Sequence, residues 1–139
     1  MKKSDVGYLI KLISDKMRAQ GDADLKEYDL TFSQVRILSY LHRYGPEATQ
    51  KDIESYLDVA HPTVVGLVSR LEKNGFVECH QDISDRRNKV VRLTPRAEEI
   101  RGKVEAKRHQ NEQQMLKEFT KEEQEELIRL LKRLYSNIE

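Results

Sequence analysis

Hydrophobic positions along most of this chain recur at helical spacing, and the stretches between them carry turn and cap chemistry. Val6, Leu9, Ile10, Ile13 and Met17 share one stripe of a first helix, with Ser4 as its expected N-cap. The run GDAD, Gly21 to Asp24, reads as a break in that helix or its frayed end. Thr31 with Gln34 three residues on is a capping-box pair, and Val35, Ile37, Leu38 and Leu41 carry a second helix to Gly45-Pro46. Thr49 and Asp52 repeat the device for a third helix that places Ile53, Tyr56 and Leu57 on its inner side. Only Asp58 to Ala60 separate it from a fourth, in which Val64, Leu67, Val68 and Leu71 fall at i, i+3, i+4 and i+7. Asn74-Gly75 closes that helix with a pair suited to a left-handed cap.

The period then changes. FVECHQ and KVVRLT are short, β-branched runs on either side of the charged turn DISDRRN, which predicts a β-hairpin. Thr94-Pro95, an N-cap followed by proline at N1, starts a fifth helix. Its stripe of Ala97, Ile100 and Val104 gives way to the polar stretch Lys107 to Gln114 before Met115, Leu116 and Phe119 resume it, so a helix this long must project. Thr120 and Glu123 open a sixth helix, with Leu127, Leu130, Leu131, Leu134 and Ile138 at coiled-coil-like spacing. Apolar stripes at both ends with no globular body of their own call for a partner, and a second copy is the simplest: a homodimer.

Two helices joined by three residues and followed by a hairpin form a DNA-reading arrangement. On the fourth helix, Pro62, Val65, Gly66, Ser69 and Lys73 point away from the core, with Thr63 and Arg70 flanking. Small, hydroxylated and basic groups suit the major groove, where they meet bases, phosphates or a thymine methyl. A glycine inside a helix costs roughly 1 kcal/mol against alanine, so Gly66 points to close approach of another backbone. Thr49 and His61, at the starts of the third and fourth helices, complete this half of the candidate set. The hairpin tip adds Asp85, Arg86, Arg87 and Lys89, where nothing in a hairpin requires positive charge. A solvated surface has a similar composition, and the distribution of charge separates the two readings. Residues 60–96 hold seven Lys/Arg against four Asp/Glu, whereas 1–59 and 97–139 each hold nine against ten. The local excess on a helix-plus-hairpin unit is the signature of phosphate binding to double-stranded DNA, although the net charge is only +1.

These residues resemble the MarR (multiple antibiotic resistance regulator) family of winged helix-turn-helix transcription regulators. The likeness runs through LEKNGFV, Leu71 to Val77, then Asp82, Asp85, Arg87, Leu93 and Thr94. It implies a mainly α fold with a small β-hairpin wing, the DNA-binding lobe spanning 30–94 and dimerisation helices at 1–29 and 95–139. It also implies a homodimeric repressor released from a pseudo-palindromic operator by a small aromatic or anionic effector. On this resemblance Arg87 enters the minor groove with Asp85 orienting it, and Tyr40, His42 and Tyr44 are candidate effector liners. The chain departs from the family in carrying Val65 and Gly66 where polar or basic residues are common, Ala97 where a glycine commonly follows the L-T pair, and Cys79 at a wing position that is often arginine. The alternative is a winged helix used as a protein-interaction scaffold without DNA binding.

Other chemistry finds little support. The basic start is interrupted by Asp5, Lys11 and Asp15 before any signal-like apolar run forms, and no apolar run approaches the ~20 residues of a membrane span, so a cytoplasmic location is expected. No cofactor or metal is expected: histidines and the single cysteine lack zinc-ligand spacing. Cys79 reads as a small packing residue, and oxidant-sensing relatives carry their cysteine in the first helix, where this chain has none. With no nucleophile elbow, phosphate loop or metal triad, no enzyme activity is expected.

Overall fold

The computed structural model describes Lys2 and residues 4–139. Its elements are α1 (Val6–Leu25), a 3-10 turn (Lys26–Tyr28), α2 (Phe32–Tyr44), β1 (Glu47–Thr49), α3 (Gln50–Leu57), α4 (His61–Lys73), β2 (Val77–Gln81), β3 (Lys89–Leu93), α5 (Pro95–Met115) and α6 (Lys121–Ile138). The fold is mainly helical with one small antiparallel sheet. The chain divides into two compact units, 1–104 and 105–139.

In the first unit, α1 begins after Asp5, one residue beyond the expected cap at Ser4, and runs unbroken through GDAD to Leu25. Gly21 is buried there because Phe32 lies against it: a Cβ would stand 2.7 Å from the ring's Cδ2. Asp22 reinforces the contact by accepting the Phe32 N–H at 2.7 Å. Both expected caps on the next helices form. The Thr31 hydroxyl accepts from Gln34 N and the Gln34 side chain accepts from Thr31 N, while the Thr49 hydroxyl accepts from Asp52 N. Gln34 is buried by this reciprocal cap at the edge of the core.

The core joins Leu25 and Leu30 to Ile37, Leu38 and Leu41 of α2, Ile53 and Leu57 of α3, Val64, Val68 and Leu71 of α4, Phe76, Val77 and Val91 of the sheet, and Ala97 of α5. The inner stripes predicted for α2, α3 and α4 therefore meet in one cluster, except that Tyr56 turns out to solvent, half exposed. At roughly 1.5 to 3 kcal/mol for each fully buried Val, Leu, Ile or Phe, this cluster dominates stability.

The sheet has three strands in the order β1-β3-β2, not the two of a bare hairpin. Glu47, Ala48 and Thr49 pair with Arg92, Val91 and Val90, while Val77 to Gln81 pair with Leu93 to Lys89. Gly75, at φ 82, ends α4 in the left-handed conformation expected of it, and the Thr94 hydroxyl donates to its carbonyl at 2.6 Å. Arg96 donates to the Asn74 carbonyl and lays its guanidinium over the Phe76 ring, 4.6 Å from the centroid. The end of α4 is thus fastened to the start of α5.

In the second unit, α6 opens with the expected capping box of Thr120 and Glu123. Ile128, Leu130, Leu131, Tyr135 and Ile138 are exposed along it. In the first unit Val6, Leu9, Ile10, Ile13 and Met17 are likewise exposed on α1. Among the described residues no helix is long and apolar enough to cross a membrane.

Candidate nucleic-acid interface

Burial splits α4 as its sequence requires. Val64, Val68 and Leu71 are buried and Leu67 is half-buried, whereas Pro62, Thr63, Val65, Ser69, Arg70 and Lys73 are exposed on the rest of the helix. Gly66 lies on that open surface with nothing within 4 Å of where a Cβ would stand, so no neighbour inside this chain requires the glycine. The link from α3 turns at Asp58, which adopts the left-handed conformation at φ 52. Across it, His61 at the start of α4 meets the Glu54 carboxylate of α3 through Nδ1. Thr49 stands where β1 ends and α3 begins, its hydroxyl oxygen engaged as the cap.

The wing tip is a pinned turn rather than a slack loop. Asp82 N donates to the Asn88 carbonyl and Asn88 N to the Asp85 carbonyl, both at 2.9 Å, and Asp82 Oδ1 accepts from the Ser84 amide and hydroxyl. Asp85 Oδ1 accepts from the Arg87 amide at 3.1 Å and from Arg87 Nε at 3.4 Å. One carboxylate therefore both makes the turn and aims the guanidinium, which is 93% exposed. Arg86 and Lys89 are exposed beside it.

Not every cation of the basic segment is available in this way. Arg92 sits in register between Glu47 on β1 and Glu78 on β2, and Arg96 is held at the end of α4, 4.0 Å from Asp29. Arg92 and Arg96 are nonetheless exposed, as are Arg70 and Lys73 on α4 and Arg86, Arg87 and Lys89 on the wing.

The effector candidates divide. Tyr40 and Tyr44 stack with Tyr56 of α3, with centroids 4.6 to 5.3 Å apart, and the Arg43 guanidinium lies 5.6 Å from the Tyr44 ring. Burial, helped by Asp52 and Tyr44, pushes the Tyr40 phenol above its ordinary range, and a hydrogen bond with Tyr44 does the same for Tyr56. His42 is on the other side of α2, with Nδ1 3.2 Å from Glu98 of α5. Tyr56 was placed on the inner side of α3 by its spacing, and only the fold brings it to the other two rings. Burial pushes the Cys79 thiol up to about 11, with Glu72 adding to the shift, so the thiolate is disfavoured. Among the described residues no three His, Cys, Asp or Glu side chains gather as a metal-ligand set.

A family model described as MarR family matches residues 28–88. The uncharacterized HTH-type transcriptional regulator YwoH of Bacillus subtilis (strain 168) is 37% identical over 122 residues, covering 88% of this chain and 85% of that protein. The chain belongs to the MarR family. Crystal structures extend the likeness through nearly the whole of this MarR-family regulator. That of MarR is 28% identical with a TM-score of 0.83 and covers 94% of both chains. That of the S. aureus MepR–DNA complex is 26% identical with a TM-score of 0.89, covering 97% of this chain and 98% of that one. The MarR family is one of transcription regulators with a DNA-binding winged helix, and α3, α4 and the β2–β3 hairpin have that arrangement here.

Proposed function

We propose that this MarR-family regulator is a homodimeric repressor that grips a pseudo-palindromic operator with α4 and the wing of each subunit and lets go when a small aromatic or anionic effector binds. The observation that carries the reading is the wing tip, where Asp85 holds an almost fully exposed Arg87 beside Arg86 and Lys89. In this reading Thr49, His61, Pro62, Thr63, Val65, Gly66, Ser69, Arg70 and Lys73 face the major groove and its phosphates. Arg87 enters the flanking minor groove, whose negative potential attracts a guanidinium. The lobe spanning 30–94 reads DNA, and 1–29 with 95–139 form the dimer, because the stripes on α1 and α6 remain exposed in a single chain. Tyr40, Tyr44 and Tyr56 offer an aromatic surface to the effector, which acts only through unequal affinity for DNA-competent and incompetent states.

Selection of bound sequences from random duplex DNA tests the proposal. A recovered palindrome supports it, and failure to enrich any sequence overturns it. Titrating the regulator–operator complex with phenolic acids tests the release step: none of them lowering operator affinity would remove it. A winged helix serving only as a protein scaffold would show no salt-dependent shift of duplex DNA.

A further inference from the structure

The contact between Glu54 and His61 bridges the two helices of the helix-turn-helix, and it constrains the proton on a side chain at the start of the reading helix. An imidazole nitrogen bearing a lone pair is repelled by a carboxylate oxygen, so Nδ1 must carry a hydrogen and donate to Glu54 Oε1. In the neutral ring this leaves Nε2, at the opposite side of the imidazole, as a hydrogen-bond acceptor with no proton to give. The His61 side chain is 68% exposed, whereas that of Glu54 is only 21% exposed, so the carboxylate is the fixed partner and the ring the one that faces outward.

In the major groove this distinction is a base preference. Adenine and cytosine present an amino group there, while guanine and thymine present carbonyl acceptors. An imidazole that can only accept matches the first pair and opposes the second. We infer that Glu54 is a positioning residue for sequence readout: it fixes the tautomer of His61 so that this side chain selects an adenine or cytosine at one position in each operator half-site. The inference rests on the proposal that the N-terminal end of α4 enters the major groove.

Glu54→Gln is the informative variant. Its amide can accept from Nδ1–H through oxygen or, turned over, donate to a bare Nδ1, so both tautomers of His61 become available while size is preserved. The full chain, Glu54→Gln, Glu54→Ala and His61→Ala are each put through selection from random duplex DNA at about pH 8.5. Thermal unfolding monitored by circular dichroism reports on the fold of each. The parent should favour A or C over G or T at one position per half-site by roughly fivefold, the worth of one neutral hydrogen bond. Both Glu54 variants should lose most of that preference at that position alone, keeping the rest of the recovered sequence, and His61→Ala should abolish it. A His61→Ala protein with the parent's preference, or Glu54 variants that keep it, would overturn the inference while leaving the proposed DNA binding intact. A parent that enriches no sequence would overturn both.

Discussion

Arg87→Ala tests the wing where motif, charge and geometry coincide. Among the described residues the side chain's polar partner is Asp85 Oδ1, 3.4 Å from Nε, and that oxygen keeps the Arg87 amide as a donor when the guanidinium is removed. With 93% of the side chain exposed, no packing is lost, and the unfolding free energy should change by no more than about 0.5 kcal/mol. Binding behaves differently. A guanidinium in a narrow, A·T-rich minor groove is worth about 1 to 3 kcal/mol, and a dimer on a palindrome uses two, so operator affinity should fall by roughly thirtyfold to more than ten-thousandfold. Fluorescence anisotropy with labelled operator at two salt concentrations reads both quantities. The slope of log affinity against log salt should shrink by about one for each half-site, and the preference for A·T-rich flanks should weaken. Arg86→Ala should cost less in the proposed binding mode if that side chain meets only phosphate. An Arg87→Ala protein that binds as tightly as the parent with an unchanged salt slope would refute the role given to the wing.

Three further outcomes follow from packing and burial. Gly21→Ala should destabilise the protein by about 1 to 3 kcal/mol despite alanine's better helix propensity, because the new methyl overlaps the Phe32 ring; denaturant unfolding checks it. Replacing Leu130 and Leu131 together with glutamate should leave helix content unchanged and turn a dimer into a monomer in sedimentation; a parent that is already monomeric at micromolar concentration would sink the dimer proposal. Raising the Cys79 thiol from 9.0 to about 11 stabilises the fold fully below the unfolded value, and that contribution is lost as pH climbs through the folded one. Stability measured from about pH 8 to 11 should therefore fall less steeply in Cys79→Ala, and alkylation of the native thiol at neutral pH should be slow.

Much of the fold was legible because its signals are local. Capping pairs such as Thr31 with Gln34 and Thr120 with Glu123 act within four residues, and inner stripes like Val64, Val68 and Leu71 need only one helix to declare themselves. What escaped depends on partners distant in sequence. β1 is three residues long, too short for alternation to show, and exists because Arg92, Val91 and Val90 offer it a ladder. Gly21 resembled a break until Phe32 supplied the reason for a missing side chain inside a continuing helix. Arg96 counted among the basic residues of the reading segment, yet the fold sets it over Phe76 and against the Asn74 carbonyl. At the interface, the outward residues of α4 followed from its periodicity. The tyrosine cluster and the Glu54–His61 contact did not, because each joins two helices whose relative rotation no single stretch encodes.

The central place of β3 in the sheet has a metrical consequence for the DNA. Since β3 is bonded to β1 as well as to β2, and Leu93 N also donates to the Pro46 carbonyl, the hairpin cannot swing on its base without breaking the β1–β3 ladder. Thr94 and Arg96 clamp the same base to the end of α4. In the proposed binding mode α4 and the wing therefore work as the two jaws of a fixed caliper. Changes at the seven-residue tip between β2 and β3 alter how far the outer jaw reaches and what it grips, while the number of base pairs between major-groove and minor-groove contacts stays set by the frame. Operators for variants of this wing should differ in their flanks and keep their spacing.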